Sequence, residues 1–232
     1  MRDRGGKHVG VRGGLADRVS GFRREWRSFL TGCVRAATLT LALPALAVVL
    51  ATASPASAQP PIPQALLYQP GQLKPVDSAL KVKPGDKAPD FDLPGLGGKR
   101  VKLSDYLDRK NVVLSFIPAA WTPVCSGQWP GYNLARGVFE SHDAVLVGVS
   151  CDPIPSLNAW IAEMGGVWFP VASDFWPHGG LAGKLGVLRP EGVSERAIFI
   201  IDKAGIIRFI DVHDINLRPD LGVIAAELGK LK

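Results

Sequence analysis

Cysteine is scarce in this sequence, which contains three cysteines in 232 residues. Cys33 lies in the N-terminal leader described below, so the rest of the chain holds only Cys125 and Cys151. Two cysteines are too few for the disulfide framework of a small exported domain, and they lack the four-ligand spacing of a structural zinc site. A single functional thiol is therefore the more natural interpretation.

Residues 59–232 also lack an excess of charge of either sign. The formal net charge of the whole chain is +6, but nine of its 27 Lys and Arg residues and three of its 21 Asp and Glu residues lie in residues 1–58. The remainder is electrically neutral. Nucleic-acid binding needs a basic face on the folded domain itself, so we expect no nucleic-acid partner.

The sequence contains one long uncharged apolar run, at residues 36–53. A polar, positively charged region precedes this run, and Ala56-Ser57-Ala58 follows it as a small-residue site suited to signal peptidase. This order predicts that residues 1–58 are a secretory signal and that the protein is exported, to the periplasm or another extracytoplasmic site. The alternative is a retained N-terminal membrane anchor, because the run is near the lower length limit of a membrane span.

Two regions of different character follow the leader. Residues 59–86 are rich in proline and glutamine and show neither helical nor strand periodicity. We interpret them as a Pro-rich tether or as an extended segment that lies on the domain surface. Residues 87–232 have the pattern of a folded domain.

Short apolar runs in this domain alternate with helical patterns. The predicted strands are residues 112–117, 144–150, 197–201 and 206–210, and the predicted helices are residues 124–140, 155–164, 179–186 and 218–230. Alternating strands and helices predict an α/β domain with a mixed central sheet. The turn at residues 202–205 has the length and composition of a hairpin, so the last two strands are predicted to form a terminal β-hairpin.

The position of Cys125 favours a reactive thiol. The residue follows the predicted strand 112–117 after a short loop, and it opens the predicted helix 124–140. The first-turn amides of a helix carry partial positive charge, which favours a thiolate over a thiol. The alternative is an inert buried thiol, because free cysteine commonly behaves as a small hydrophobic residue. The local pattern by itself leaves both interpretations open.

Pro118, Thr122 and Cys125 form a Pro-x-x-x-Thr-x-x-Cys motif. This motif resembles the active-site signature of the peroxiredoxins, the alkyl hydroperoxide reductase and thiol-specific antioxidant family. The resemblance extends over about residues 84–230 and is greatest to the bacterioferritin-comigratory and one-cysteine mycobacterial-type branches. It implies a thioredoxin-like α/β/α sandwich with a mixed central sheet and a terminal β-hairpin, and a thiol-dependent peroxidase that uses no cofactor and no metal.

The resemblance also implies a role for each site residue. The Cys125 thiolate attacks hydrogen peroxide or an organic hydroperoxide and becomes a sulfenic acid. Arg196 stabilises the thiolate and the charge that develops on the leaving oxygen. Thr122 hydrogen-bonds the peroxide and the sulfur, and Pro118 shields the thiolate from solvent.

The sequence departs from the family pattern at two positions near Cys125. Gln128 occupies a position where the family commonly has a glutamate that pairs with the arginine, so we expect Arg196 to be held differently. Pro130 occupies the position of the resolving cysteine of some relatives. We therefore expect a one-cysteine cycle, reduced by an external thiol or a thioredoxin-like partner. Resolution by Cys151, at the end of the next predicted strand, is the alternative.

Three further expectations stay open at the level of sequence. A homodimer is one alternative for the oligomeric state, because many relatives dimerise. The rival functions are an exported thiol–disulfide oxidoreductase, which would need a second cysteine where Thr122 stands, and a non-catalytic redox-sensing domain of the same fold. The spacing of His142, Asp152 and His178 supports neither a catalytic triad nor a metal site, so these residues are expected to be structural or to lie on the surface.

Overall fold

A computed structural model describes residues 62–231 of the chain. The predicted secretory signal at residues 1–58, and the start of the segment 59–86, lie outside the described residues. Among the residues that are described, no helix combines the length and the apolar character that crossing a membrane requires.

Seven strands and five helices make up the described fold, together with short 3₁₀ turns. The strands are β1 (Asp92–Pro94), β2 (Arg100–Lys102), β3 (Asn111–Ile117), β4 (Ala144–Ser150), β5 (Val171–Ser173), β6 (Arg196–Ile201) and β7 (Ile207–His213). The helices are α1 (Pro123–Leu134), α2 (Arg136–Ser141), α3 (Ile154–Glu163), α4 (Gly180–Leu185) and α5 (Leu221–Leu228).

A five-stranded mixed sheet with the order β5-β4-β3-β6-β7 lies at the centre. The strands β3, β4 and β5 are parallel, whereas β6 runs antiparallel to β3 and β7 antiparallel to β6. The antiparallel β6–β7 pair is the predicted terminal hairpin, which is confirmed. Strands β1 and β2 form a separate two-stranded antiparallel sheet.

The sheet is covered on both faces, and its central strands β3, β4 and β6 are buried at all but one position. Every residue of β3 is buried, and alternate side chains point to opposite faces. Val113 and Ile117 pack in a core with helices α1, α2, α3 and α5, whereas Leu114 and Phe116 pack in a second core with α4 and the β1–β2 hairpin. The expected α/β/α sandwich is therefore confirmed.

The structure corrects several predicted elements. The helix predicted at 124–140 is two helices, because Ala135 leaves the helical conformation with φ −100° and ψ 14°. The first of them, α1, contains Pro130 in its interior. Strand β7 extends three residues beyond its predicted end, and β1, β2 and β5 were not predicted. Each of the three missed strands has only three residues, too few to show a period.

Residues 62–86 run along the domain as irregular chain with one 3₁₀ turn at Gln64–Leu66. The backbone N–H of Tyr68 donates to the carbonyl of Trp121 at 2.8 Å, and that of Lys81 donates to the carbonyl of Leu185 at 3.0 Å. Gly186 ends α4 with φ 81°, and a Cβ atom there would lie 2.2 Å from the carbonyl oxygen of Ala79. Glycine therefore allows the segment to pass close to α4. The domain boundary at residue 86 stays a prediction.

We expect Gly148→Ala to lower the free energy of unfolding by about 1–3 kcal/mol, the usual cost of overpacking a core. A Cβ atom on Gly148 of β4 would lie 2.7 Å from the Trp129 ring, which is itself packed against Trp160 and Phe169. Urea denaturation measures the change.

Gly137→Ala is the matched control for this substitution. Gly137 lies on the exposed side of α2, and a Cβ atom there meets nothing within 4 Å. The higher helix propensity of alanine should stabilise this variant by about 0.5–1 kcal/mol. Equal effects of the two substitutions would contradict the packing described for Gly148.

Candidate functional site

The topology of the sheet brings Cys125 and Arg196 together although they are 71 residues apart in sequence. Strand β3 ends at Ile117 and the chain then enters α1, which carries Cys125 in its first turn. Strand β6 begins at Arg196 and runs antiparallel to β3, with Ala197 opposite Phe116. The start of β6 therefore lies at the same sheet edge as the end of β3. This places Arg196 next to Cys125 at the start of α1.

The Arg196 guanidinium donates a hydrogen bond to the Cys125 sulfur, with Nη2 and Sγ 3.5 Å apart. Both residues are buried, with exposed fractions of 2% for Arg196 and 0% for Cys125. The guanidinium is always protonated in proteins, so a full positive charge lies beside the sulfur. The first-turn N–H groups of α1 add partial positive charge at the same place.

Neutral oxygen atoms hold Arg196 in this position. Its Nε and Nη2 atoms donate to the Ile215 carbonyl at 3.1 and 3.0 Å, and its Nη1 donates to Gln128 Oε1. Within the described part of the chain, none of its hydrogen-bond partners is a carboxylate. The sequence-based expectation that Gln128 changes how the arginine is held agrees with these contacts: the amide oxygen still accepts a hydrogen bond but supplies no counter-charge.

Gln128 is itself fixed by a buried polar network. Its amide nitrogen donates to Ser115 Oγ on β3 and to the Tyr132 hydroxyl on α1, each at 3.1 Å. Burial raises the pKa of Tyr132 above its usual value of 10.0, so the phenol stays neutral. The network therefore orients the Gln128 oxygen towards the guanidinium without adding a charge.

The loop between β3 and α1 places Thr122 and Pro118 at the site. The Thr122 hydroxyl donates to the Ala119 carbonyl at 2.9 Å, which leaves its oxygen lone pairs free to accept. Trp121, directly before it, has a left-handed backbone with φ 61°, an uncommon conformation for an aromatic residue. This conformation and the hydrogen bond to Ala119 fix the direction of the Thr122 side chain.

Two side chains from neighbouring strands hold this loop in place. Asp152, just after β4, accepts the Ala120 N–H through its carboxylate at 2.7 Å. Ser194, just before β6, donates its hydroxyl to the Ile117 carbonyl at 2.9 Å. Asp152 was predicted to be structural, and it does support the candidate site in that way.

A cavity of about 550 Å³ is lined by residues that surround the buried Cys125, although Cys125 itself is not part of its lining. Pro118, Thr122 and Arg196 line its inner end, together with Val124. The structure thus gathers the four residues singled out from the sequence: Pro118, Thr122 and Arg196 face the cavity, and Cys125 lies buried against Arg196.

Cys151 lies at the same edge of the sheet, just after β4, in a different electrostatic environment. Burial, followed in importance by the charges of Asp174 and Asp152, raises the pKa of the Cys151 thiol to about 12. Both Cys125 and Cys151 are free thiols. A neutral buried thiol is a poor nucleophile, which favours the interpretation of Cys151 as a packed residue.

His142 and His178 lie within hydrogen-bond distance only of backbone carbonyls or of a neighbouring hydroxyl. His142 Nδ1 lies 2.7 Å from the Val138 carbonyl and 3.2 Å from Ser141 Oγ, and His178 Nε2 lies 2.8 Å from the Gly192 carbonyl. Residues 62–231 contain no group of three or more His, Cys, Asp or Glu side chains arranged to hold a metal ion.

Several residues that support the site were not found from the sequence. They are Ser115, Tyr132, Ser194, Ile215 and Asn216. A serine inside an otherwise apolar strand is the one signal available, because a buried hydroxyl requires a partner. The others act through long-range contacts that no local pattern records.

A fold of this kind with a cysteine at the first turn of α1 and a buried arginine beside its sulfur defines a redox-active thioredoxin-like protein. Comparison with known proteins makes the class specific. The AhpC/TSA family profile matches residues 84–210. Because that match covers more than half of the chain, the protein belongs to the AhpC/TSA family and is a peroxiredoxin, a thiol-dependent peroxidase.

Individual relatives agree with this assignment. Alkyl hydroperoxide reductase E of Mycobacterium tuberculosis is 37% identical over 129 residues, covering 55% of this chain and 84% of the relative. The putative peroxiredoxin in the rubredoxin operon of Clostridium pasteurianum is 36% identical over 145 residues, covering 57% and 80%.

Solved structures share the fold. The mitochondrial 2-Cys peroxiredoxin from Plasmodium falciparum superposes with a TM-score of 0.58 at 28% identity, covering 63% of this chain and 92% of that one. Mycobacterium tuberculosis AhpC superposes with a TM-score of 0.59 at 24% identity, covering 64% and 92%, and shows the fold alone.

We expect Gln128→Leu to lower the free energy of unfolding by about 1–3 kcal/mol, because it leaves Arg196 Nη1 and the hydroxyls of Ser115 and Tyr132 without their partner in a buried site. The same substitution should slow oxidation of Cys125 by peroxide. Urea denaturation and stopped-flow fluorescence measure the two effects. Gln128→Glu, which retains an acceptor for Arg196, is the matched control, and an unchanged oxidation rate in Gln128→Leu would mean that Ile215 alone positions the guanidinium.

We expect Cys151 to resist alkylation by iodoacetamide in the native protein at pH 8. With its pKa at about 12, only about one thiol in 10⁴ is ionised at that pH. Mass spectrometry should find Cys151 labelled only after unfolding in urea. Peroxide treatment should also give no Cys125–Cys151 disulfide; formation of that disulfide would show that Cys151 resolves the sulfenic acid.

Proposed function

We propose that Cys125 is the residue of this peroxidase that attacks hydrogen peroxide or organic hydroperoxides, assisted by Arg196, Thr122 and Pro118. The observation that carries the proposal is the 3.5 Å contact between the Arg196 guanidinium and the Cys125 sulfur inside a buried site. A thiolate is the nucleophilic form of cysteine, and a fixed cation beside the sulfur favours that form before substrate arrives.

The reaction follows from this arrangement. The Cys125 sulfur forms a bond to the terminal oxygen of the peroxide, and the O–O bond breaks. The electron pair of that bond leaves with the other oxygen, which takes up a proton from solvent and departs as water or an alcohol, while the hydrogen on the terminal oxygen stays in the product on the sulfur. The sulfur is oxidised by two electrons to a sulfenic acid. Arg196 faces the cavity and stabilises the negative charge that develops on the leaving oxygen.

Thr122 and Pro118 orient the substrate and limit access of water. Because the Thr122 hydroxyl donates to the Ala119 carbonyl, its oxygen is directed to accept the peroxide O–H. That hydrogen bond holds the terminal oxygen towards the sulfur. Pro118 lines the cavity with a ring that has no N–H group, and it replaces water beside the sulfur with an apolar surface.

A one-cysteine cycle fits the two thiols of the domain. A thiol reductant attacks the Cys125 sulfenic acid, expels water and forms a mixed disulfide, which a second thiol then reduces. The high pKa of Cys151, about 12, disfavours its service as an internal resolving thiol. The reductant is therefore an external small thiol or a thioredoxin-like protein.

The rival functions have weaker support. A thiol–disulfide oxidoreductase needs an accessible leading thiol, and the chain has Thr122 there with its hydroxyl engaged by Ala119. Burying the charge of Arg196 costs free energy. A non-catalytic sensor would not use this buried charge beside the Cys125 sulfur.

The proposed location is extracytoplasmic, with residues 1–58 acting as a secretory signal or a retained anchor. The support is the order of a positive region, the apolar run 36–53 and the Ala56-Ser57-Ala58 site. Cell fractionation together with mass spectrometry of the N-terminus tests it: a protein that begins near Gln59 in the exported fraction is expected. A homodimer, which many relatives form, stays a prediction for light scattering to test.

Substitution of Cys125 and Arg196 tests the proposed chemistry. Cys125→Ser should abolish the sulfenic acid adduct that dimedone forms after one equivalent of peroxide. Arg196→Met should slow the second-order oxidation of Cys125 by about 10²-fold or more, as loss of a transition-state donor does. Arg196→Lys should fall between, because lysine keeps the charge but loses the planar fork. Stopped-flow fluorescence of the pre-reduced protein measures these rates.

Arg208→Met is the matched control for loss of an arginine. Arg208 is exposed on β7 and pairs with Asp202, away from the cavity. Its rate should equal that of the parent, and urea denaturation of every variant separates loss of folding from loss of chemistry. Should Cys125→Ser reduce hydroperoxides as fast as the parent, the assignment of Cys125 would be wrong.

A further inference from the structure

The outer wall of the active-site cavity is formed by a segment that precedes the rest of the domain. Residues 68–77, here called the strap, run without regular secondary structure past the loop between β3 and α1. Gln69, Pro70, Gly71, Gln72 and Leu73 of the strap line the same cavity as Pro118, Thr122 and Arg196. The strap therefore forms part of the wall of the cavity that Thr122 and Arg196 line.

The strap is fastened on both sides of this lining stretch. At one end the Tyr68 N–H donates to the Trp121 carbonyl at 2.8 Å, directly before Thr122. At the other end Asn216 accepts the Leu73 N–H at 3.0 Å and donates to the Leu73 carbonyl at 2.9 Å. The Asn216 side chain thus bonds both the N–H and the carbonyl of Leu73, as the backbone of a neighbouring strand would, and it holds Leu73 at the cavity wall.

A buried ion pair fastens the next part of the strap. Arg189 and Glu195 are buried and joined by a hydrogen bond of 2.8 Å between Nη1 and Oε2. The same Arg189 nitrogen donates to the Lys74 carbonyl at 3.2 Å, and Glu195 Oε1 accepts the Asp77 N–H at 2.6 Å. Two buried charges that bind strap backbone indicate that the position of the strap is specified by the fold.

The side chains that hold the strap, Asn216, Arg189 and Glu195, leave a mainly apolar surface towards the cavity. Arg189 and Asn216 line it, but their polar groups are directed to strap backbone. The remaining outer wall includes Pro70, Leu73 and Ile215. Thr122 and Arg196, which can bind the hydroperoxyl group, line the cavity together with the polar residues Gln69, Gln72 and Glu191.

The size of the cavity exceeds what hydrogen peroxide needs. Its volume of about 550 Å³ lies in the range of pockets that take small organic molecules, whereas a water molecule occupies only about 30 Å³. An apolar space adjoining a polar reaction end matches a molecule with a hydroperoxyl group at one end and an apolar group at the other.

The two parts of the cavity also differ in their relation to the family. The reaction end lies within residues 84–210, the stretch that the AhpC/TSA profile matches. The strap precedes that stretch, and Ile215 and Asn216 follow it. The strap, Ile215 and Asn216 are thus parts of the wall that lie outside the family match, whereas Arg189, Glu191 and Val193, which also line the cavity, lie within it.

We propose that the strap is a specificity element, in which Leu73, held by Asn216, binds the apolar group of an organic hydroperoxide and makes such substrates preferred over hydrogen peroxide. This inference rests on the proposed function, because the hydroperoxyl group must reach Cys125. The strap contributes contacts that only an organic substrate makes, and these contacts place its terminal oxygen at Thr122 and Arg196.

Rate constants for two peroxides test the proposal. Oxidation of Cys125 in the pre-reduced full-length chain is followed by stopped-flow fluorescence, with cumene hydroperoxide or hydrogen peroxide in excess. The parent should react at least about tenfold faster with cumene hydroperoxide. Leu73→Ala, which removes the wall, and Asn216→Ala, which removes its fastener, should each lower that ratio of rate constants about tenfold, equivalent to about 1.4 kcal/mol.

Val76→Ala is the matched control, because Val76 is an apolar strap residue that does not line the cavity. Its ratio should equal that of the parent. A parent ratio near one, or a ratio that neither Leu73→Ala nor Asn216→Ala changes, would overturn the proposal. An equal decrease of the oxidation rate constant with both peroxides would also overturn the proposal, because the strap would then only support the loop that carries Thr122.

A binding measurement gives a second readout that does not depend on turnover of the organic substrate. The alcohol 2-phenyl-2-propanol, the product from cumene hydroperoxide, should slow oxidation by hydrogen peroxide competitively in the parent. Leu73→Ala should need about tenfold more of the alcohol. Lack of protection in the parent would count against the apolar site. By contrast, the lack of any dimedone adduct on Cys125 with either peroxide would refute the proposed function itself.

Discussion

The hydrogen bond between the Arg196 guanidinium and the Cys125 sulfur is the interaction on which the rest of the site depends. Removing an arginine from water costs free energy unless its charge and its N–H groups are satisfied. Here Ile215 and Gln128 satisfy most of the N–H groups with neutral oxygens, and the sulfur receives another. Because these partners leave the positive charge without a bonded carboxylate, a thiolate is the anion best placed to balance it.

The sheet topology makes this contact unavoidable. Strand β3 ends where β6 begins, since the two are antiparallel neighbours, and the chain leaves β3 directly towards α1. Strand β7 returns to the same edge and delivers Ile215 behind Arg196. The loop between β3 and α1 is held by Asp152 and Ser194 from the two neighbouring strands. The position of the sulfur therefore depends on four neighbouring strands of the sheet, β4, β3, β6 and β7, as well as on its own helix.

The two thiols of the domain lie in different environments, as the proposal of one reactive and one packed cysteine requires. Both follow buried strands at one edge of the sheet. Cys125 has a guanidinium beside it, whereas burial and the charges of Asp174 and Asp152 raise the pKa of Cys151 to about 12. The sequence presents the two residues in similar settings, and it leaves resolution by Cys151 open. Their difference arises from side chains that are distant in sequence, which is why it needed the tertiary structure.

The sequence by itself determined the class of fold and the four long strands, because continuous apolar runs record burial. It also supplied the candidate site residues Pro118, Thr122 and Cys125, because their spacing is local. Its prediction of Arg196 rested on family resemblance, and strand register then explained how the side chain reaches the sulfur. The tertiary structure alone decided the break at Ala135, the three short strands, the neutral network around Gln128 and the course of the strap. These features depend on contacts between distant segments, and a strand of three residues or an extended proline-rich segment has no periodicity from which such contacts can be inferred.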